Sequence, residues 1–264
     1  MRRFSLVVLI PMIALFLFAS TAGATPINPL GEWSSSTTES LQGVLDGITV
    51  SPSPNPGKSS VDASGDQNDA LFYDSYWSIT ATGGSVATFV VEIAGFAPNN
   101  KFGIFDASDP NKKVQIFDGQ AGSGSHAVLS IKADGSVYLN LADTGMDFSG
   151  NRFGYYLTNG AATPQTFHSD TGLNADAFDH MVALQGKNID YVRIAGLSDG
   201  LWTDREYILA WEDLYGGGDW DYNDMVIMVE SVNPAPVPEP ATMLLFGAGL
   251  IGLAGFGRKK LIKK

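Results

Sequence analysis

The stretch KFGIFDASDPNKKVQIFDGQAGSGSHAVLSIKADGSVYLNL, from Lys101 to Leu141, decides the fold. It holds four short apolar or alternating runs, Lys101 to Phe105, Lys113 to Phe117, Ala127 to Ile131 and Ser136 to Leu141. Clusters of Asp, Asn, Gly, Ser and Pro separate them. Each run is too short for a stable helix, and breakers recur about every ten residues, which is the pattern of hairpin-linked strands. Working outward, the same punctuation predicts strands at Ser75 to Ala81 and Ser85 to Ile93 upstream. Downstream it predicts Arg152 to Thr158, Asp179 to Leu184, Asp190 to Ile194, Glu206 to Trp211 and Asp224 to Ser231. These eleven runs are too many for one flat sheet in a chain of 264 residues. The reading is all-β: an antiparallel β-sandwich, jelly-roll-like, in which two sheets bury their inner faces. No fixed-period repeat is present, which excludes a solenoid or propeller.

Before the strands, Ser36 and Glu39 have capping-box spacing, and Leu41, Val44, Leu45 and Ile48 fall at helical spacing. One short helix is predicted at about 38–47. Residues 51–60 contain Pro52, Pro54 and Pro56 and read as a connector. The predicted organisation is a leader (1–24), helix and connector (25–60), β-sandwich (61–232), linker (233–237) and tail (238–264).

Both ends carry addresses. Arg2 and Arg3, the apolar run Leu6 to Ala19 and Ala22-Gly23-Ala24 form the charged start, core and cleavage site of a secretory signal peptide. A first membrane helix would be longer and would not hold Pro11. At the other end Ala241 to Gly257 has no charged residue. At helical rise it spans roughly 25 Å, close to a bilayer core. Arg258, Lys259, Lys260, Lys263 and Lys264 follow it and place the C-terminus on the cytoplasmic side. The order Val237-Pro238-Glu239-Pro240, apolar run, Arg258-Lys259-Lys260 resembles the PEP-CTERM sorting tail of Gram-negative bacteria. The resemblance implies an exosortase as processing partner, passage through the inner membrane, and delivery to the cell surface or to an exopolysaccharide or biofilm matrix. A plain C-terminal membrane anchor is the simpler reading of the same residues.

Between leader and tail, residues 25–236 carry 27 acidic and nine basic side chains, a net charge of −18. Such a body repels nucleic acid and anionic lipid. There is no cysteine, so disulfides, thiol catalysis and thiolate metal sites are excluded, and three histidines leave little for a zinc centre. Aspartate outnumbers glutamate 21 to 7, and short carboxylates in turns suit hard cations or simply solubility.

The densest chemistry lies between the last two strands, at Trp211-Glu212-Asp213-Leu214-Tyr215-Gly216-Gly217-Gly218-Asp219-Trp220-Asp221-Tyr222-Asn223-Asp224. If residues 219–223 are extended, Asp219, Asp221 and Asn223 share one side and Trp220 and Tyr222 the other. Three glycines let the chain fold Glu212 or Asp213 back toward them, giving an oxygen-rich set for Ca²⁺ with Asp224 adjacent. The competing reading is an acidic turn whose Asp and Asn side chains cap their own backbone. The spacing to Glu230 mimics an EF-hand loop, but Asp224 stands where that loop needs glycine and Met225 to Val229 reads as a strand. A second acidic group, Asp170, Asn174, Asp176 and Asp179 with His180, and a third, Asp62, Asp66, Asn68 and Asp69, read as turn formers or auxiliary ligands.

The hairpin also resembles a bacterial extracellular family known as a domain of unknown function, often found beside PEP-CTERM tails. Phe102-Gly103-Ile104-Phe105-Asp106, Phe153-Gly154-Tyr155-Tyr156-Leu157 and Leu173 to Val182 fit the same pattern, from about Ser40 to Val232. The resemblance implies an all-β extracellular domain, suspected of calcium dependence, with no established enzymatic activity.

Two alternatives to a non-enzymatic surface or matrix protein remain open. Among Trp33, Trp77, Trp202, Trp211 and Trp220, the loop residue Trp220 is the candidate for stacking on sugar rings in a carbohydrate-binding module. A glycan hydrolase would need two carboxylates about 5 to 9.5 Å apart. None of the nucleophile-elbow, paired-histidine zinc or phosphate-loop motifs is present.

Overall fold

The computed structural model describes residues 40–51, 57–66, 74–80, 87–95, 99–119 and 121–235. The leader, most of the Pro connector, and the tail with Pro238, Glu239, Pro240, Arg258, Lys259 and Lys260 lie outside them. No helix among the described residues is long and apolar enough to cross a membrane.

The one described α-helix, α1 (Leu41–Ile48), starts later than the capping-box spacing predicts. Its cap is Ser40, whose hydroxyl accepts the Gly43 N–H at 3.1 Å, where the sequence reading had placed Ser36. The apolar positions decide the start: Leu41, Val44 and Leu45 must all face inward, and eight residues are too few to be helical without that packing.

The strands follow in chain order: β1 (Thr49–Ser51), β2 (Trp77–Ile79), β3 (Ala87–Gly95), β4 (Lys101–Asp106), β5 (Asp109–Phe117), β6 (His126–Ile131), β7 (Ser136–Leu139) and β8 (Ala142–Asp147). Then come β9 (Arg152–Thr158), β10 (Thr166–His168), β11 (Met181–Gln185), β12 (Tyr191–Val192), β13 (Gly200–Leu201), β14 (Glu206–Trp211), β15 (Met225–Glu230) and β16 (Val232–Pro234). They form antiparallel sheets. The larger has order β11-β14-β15-β3-β6-β7-β8, the second β16-β2-β9-β4-β5 with β10 on β9, and a small one β1-β12-β13. In both larger sheets a late strand pairs with an early one, β15 with β3 and β16 with β2. The end of the chain therefore closes what its beginning opens.

Among the described residues, alternation along the strands builds two large cores and a smaller cluster of Tyr76, Phe105, Tyr156 and Ala235. Leu209 and Trp211 of β14, Met181 and Ala183 of β11, and Ile227 of β15 meet Phe102, Ile104, Phe153, Tyr155 and Trp77 of the second sheet in one cluster. The intervening Ile208, Ala210, Val182, Leu184 and Val226 pack on the opposite side against Leu41, Leu45, Val192 and Trp202. Strands β11, β14 and β15 are thus covered on both faces, which is why they read as near-continuous apolar runs. Three of the five tryptophans, Trp77, Trp202 and Trp211, are fully buried.

The two Phe-Gly motifs have a packing reason. Register pairs Phe105 with Gly154 and Gly103 with Tyr156. A Cβ at Gly154 would lie 2.2 Å from the Phe105 ring, and one at Gly103 would lie 2.7 Å from the Tyr156 ring. Each glycine gives its partner's ring room to lie across the strand.

Sequence reading missed β1, β8, β10, β13 and β16, and it ran β7 through Leu141. Asn140 and Leu141 instead take φ of 51° and 67°, a tight two-residue turn, and Leu141 is 85 % exposed. Strand β8, Ala-Asp-Thr-Gly-Met-Asp, is almost wholly exposed and has no apolar alternation to read.

On the outer side of β9, the Lys113 ammonium lies 3.0 Å from His168 Nε2, so it donates to a neutral imidazole. Burial, with the Lys113 charge second, pushes the His168 pKa down to about 4. The unfolded chain binds this proton near its ordinary value of 6.5. Stability therefore falls as pH drops from about 6.5 to about 4, by about 1–2 kcal/mol after allowing for solvent screening. Thermal unfolding of His168→Gln across that range is expected to show a flatter pH dependence than the wild type. An unchanged slope would remove His168 as the cause.

Candidate metal centre in the acidic hairpin

The β14–β15 connection begins where β14 ends on the buried Trp211, which carries Glu212 straight into the interior at 0 % exposure. The chain then makes a short 3₁₀ turn (Tyr215–Gly217). Gly216, Gly217 and Gly218 all have positive φ, 73°, 85° and 56°. Trp220 and Tyr222 follow at 64° and 51°. The extended run expected over residues 219–223 is therefore absent. Left-handed residues alternate with others, and the segment winds around the Glu212 carboxyl.

The outcome is a different ligand set from the period-two expectation. Carboxylate oxygens of Glu212, Asp219 and Asp221 all lie within 4.8 Å of one another. Glu212 Oε1 accepts the Tyr222 N–H at 2.8 Å, and its Oε2 is buried with no hydrogen-bond partner. Asp221 accepts from the Asn223 side-chain amide at 2.6 Å, so Asn223 turns its nitrogen toward the cluster and orients the Asp221 carboxylate. Asp213 faces elsewhere, accepting from Asn100 Nδ2 at 2.9 Å, while its N–H donates to Asp224. Of the six residues proposed from sequence, three converge, Asn223 supports them, and Asp213 and Asp224 form a neighbouring pair.

Electrostatics follow from crowding. Burial pushes Glu212 up to about 9, and Asp224, Asp221 and Asp219 add to the shift. Burial, together with Asp213 and Asp221, pushes Asp224 up to about 7. Without a cation the Glu212 carboxyl is neutral near pH 7. A divalent cation can take the place of that proton, because an orphaned carboxylate oxygen aimed at two further carboxylates is a hard-cation donor set. These residues fit Ca²⁺.

A second loop, read from the sequence as turn formers or as auxiliary ligands from a neighbouring loop, braces the first. His180 Nδ1 bonds the Glu212 carbonyl at 3.0 Å and its Nε2 bonds Asp176 at 2.9 Å. Asp176 also accepts the Gly216 N–H at 2.8 Å. Asn174 ties His168 and Phe178 backbone atoms, and Asp170 accepts from Gly172 N–H at the start of its own short turn. This group orders loops. Asp62 likewise accepts the Ser64 and Gly65 N–H groups, and Asp66 pairs with Lys187; Asn68 and Asp69 lie outside the described residues.

Phe178 fixes how tightly the loops meet. A Cβ at Gly217 would fall 2.1 Å from the Phe178 ring, at a φ that already disfavours any other residue. Gly217→Ala is expected to cost about 2 kcal/mol or more in chemical denaturation. A cost below about 0.5 kcal/mol would show that the loops separate freely.

An acidic, antiparallel β fold with a carboxylate nest at its last long hairpin is the class of protein these observations define. Residues 146–232 match the family model of a domain of unknown function, DUF4114, and residues 236–259 match the PEP-CTERM protein-sorting motif. A span that matches DUF4114 is thus followed by a PEP-CTERM sorting motif, which implies an exported, membrane-anchored precursor that an exosortase processes for display at the cell surface. The match begins at residue 146, well downstream of Ser40, where the sequence resemblance had begun. No curated protein and no solved structure matches the chain.

Proposed function

We propose that this is a non-enzymatic cell-surface or extracellular-matrix protein, a β-sandwich whose last hairpin binds Ca²⁺ and is made rigid by it. Its signal peptide and C-terminal membrane helix would deliver it, with the C-terminus cytoplasmic until the exosortase acts. Matrix exopolysaccharide would be its surroundings. The observation that carries the reading is Glu212: fully buried, with one oxygen unpartnered, and facing Asp219 and Asp221. Outside the cell calcium would displace the Glu212 proton and offset the charges of Asp219 and Asp221.

The same geometry favours binding over hydrolysis. The three carboxylates are closer than the roughly 5 to 5.5 Å of a retaining pair, and Glu212 is out of reach of a sugar. Calcium titration of thermal unfolding tests the metal reading, and the absence of any stabilisation would end it.

A second reading, a carbohydrate-binding module, is favoured by the exposed rim of the loop: Leu214, Tyr215 and Trp220 are 55 %, 59 % and 37 % exposed. The Trp220 indole N–H donates to the Gly216 carbonyl at 3.1 Å, which holds the ring in place. On this reading Trp220→Ala reduces retention on a glycan array about tenfold or more, consistent with the loss of one stacking platform. Calcium stabilisation would be unchanged. Equal retention by the variant would remove the carbohydrate role from this rim.

A further inference from the structure

A cavity of about 220 Å³ opens where strand ends of the two larger sheets meet. Asn99 and Asn100 lead into β4, Asn159 and Ala161 follow β9, Asp213 and Leu214 follow β14, and all six line it. None of the three converging carboxylates, Glu212, Asp219 and Asp221, is among its described lining residues.

The floor is polar and held in place. Asn100, Asn159 and Asp213 are each more than nine-tenths buried. Asn100 Nδ2 donates to Asp213 Oδ2 at 2.9 Å, and its Oδ1 accepts the Gly160 N–H at 3.2 Å. Asn159 Nδ2 donates to the Asp213 carbonyl at 2.8 Å, and its Oδ1 accepts the Gln165 N–H at 2.9 Å. An amide has two protons and two lone pairs to share, so each of these keeps a donor and an acceptor. At the mouth, Asn99 is exposed, and its side chain makes no hydrogen bond among the described residues. It is fixed from behind: a Cβ at Gly160 would fall 2.3 Å from Asn99 Cβ, and one at Gly119 would fall 2.6 Å from its carbonyl carbon. Loop bracing accounts for Asn100 and Asn159. It does not account for an unbonded amide that two glycine loops close around.

We infer that this cavity binds one neutral pyranose ring, the end unit of an uncharged glycan. Neighbouring ring hydroxyls both donate and accept, which is what three amides beside a carboxylate return. Ala161 and Leu214 offer apolar surface to the C–H face of the ring. The volume equals about seven waters in the liquid, the scale of a single ring and below the roughly 300 Å³ at which drug-sized ligands begin. Asp213 and the net charge of −18 over residues 25–236 repel acidic sugars. A metal ion fits poorly, because Asn100 turns its nitrogen toward Asp213 and the amide oxygens of Asn100 and Asn159 already accept N–H groups. The inference deepens the carbohydrate reading yet stands apart from its rim: of Leu214, Tyr215 and Trp220, Leu214 alone is among the described lining residues.

The test uses the full chain in mild detergent with leucine methyls labelled and the Leu214 resonance followed by NMR. A chelator is present throughout, which keeps the result separate from the metal reading. The probes are the methyl pyranosides of glucose, galactose and mannose, compared with tetrahydropyran, glucuronate and N-methylacetamide. At least one pyranoside is expected to shift Leu214 saturably with a roughly millimolar dissociation constant, and tetrahydropyran and glucuronate to bind at least about tenfold more weakly. Ala161→Phe, which fills the cavity from an exposed position, should abolish the response, and Asn99→Ala should weaken it several-fold. Neither should lower the melting temperature. Trp220→Ala should leave the response as it is, so the rim reading and this one fail separately. No response to any pyranoside, or an undiminished response in both cavity variants, would overturn the proposal. So would tighter binding of N-methylacetamide, which would make the cavity a peptide site, or a response lost in Trp220→Ala and kept in Ala161→Phe, which would put the sugar on the rim.

Discussion

Saturating calcium is expected to raise the melting temperature of the metal-free chain by about 5 to 10 °C. The figure follows from linkage: a ligand at about a hundred times its dissociation constant stabilises the native state by about 2.7 kcal/mol. For a domain of this size each kcal/mol moves the midpoint by about 2 to 4 °C. Glu212 gives the experiment its control. Glu212→Gln keeps the side-chain shape and an oxygen to accept the Tyr222 N–H, but it cannot supply a second carboxylate oxygen to a cation. The variant should match the metal-free wild type in stability and gain nothing from calcium. Asp219→Ala with Asp221→Ala should also lose the gain, whereas Asp213→Asn should keep most of it, because Asp213 bonds Asn100 and lies outside the cluster. A calcium gain retained by Glu212→Gln would mean that the ion sits elsewhere.

The second large effect concerns the limits of the folding unit. A fragment restricted to residues 146–232, the span that matches DUF4114, is expected to show no cooperative unfolding transition. Residues 25–236 are expected to unfold in one step. Register explains why: inside the fragment β9 lacks β4 beside it and β15 lacks β3. Among the described residues, ten of the 23 buried in the central cluster, including Trp77, Phe102, Ile104 and Leu129, lie upstream of the match. Burying that many large side chains is worth about 15 to 30 kcal/mol, against a net stability for any domain of about 5 to 15 kcal/mol. The fragment loses more than the whole fold has to spare. A sharp calorimetric transition from residues 146–232 alone would show that the matched span is a domain in itself.

How much of this was legible in the sequence depended on burial. Strands β9 and β14 were read to their observed ends, because both are apolar runs bounded by turn residues and both lie deep in the structure. Strand β8 was invisible because it is an exposed edge with almost no hydrophobic face. Strands β1 and β13 were missed because they are only three and two residues long and are set by pairing with β12, which was read as a longer run, Asp190 to Ile194. The helix was found from its apolar spacing and its start was missed, because Ser36 and Ser40 both offer a capping hydroxyl and only packing of Leu41 chooses between them.

The acidic hairpin divides the same way. Composition and the glycine triplet marked residues 211–224 as the chemical centre, and Trp220 as its exposed aromatic, without reference to any other part of the chain. Which carboxylates converge was a tertiary decision. Period-two reasoning assumed an extended loop, whereas positive φ at Trp220 and Tyr222 turns the backbone so that Tyr222 is buried and Glu212 comes to Asp219 and Asp221. The clamp by Asp176, Phe178 and His180 joins segments about forty residues apart, and no local pattern encodes that approach. The sequence by itself determined the all-β class, the sorting motif at the C-terminus and where the acidic residues crowd, because these rest on local periodicity, composition and short motifs. Which carboxylates converge, and which distant strands close each sheet, were decided only in three dimensions, because each depends on long-range pairing and on what the side chains then exclude from water.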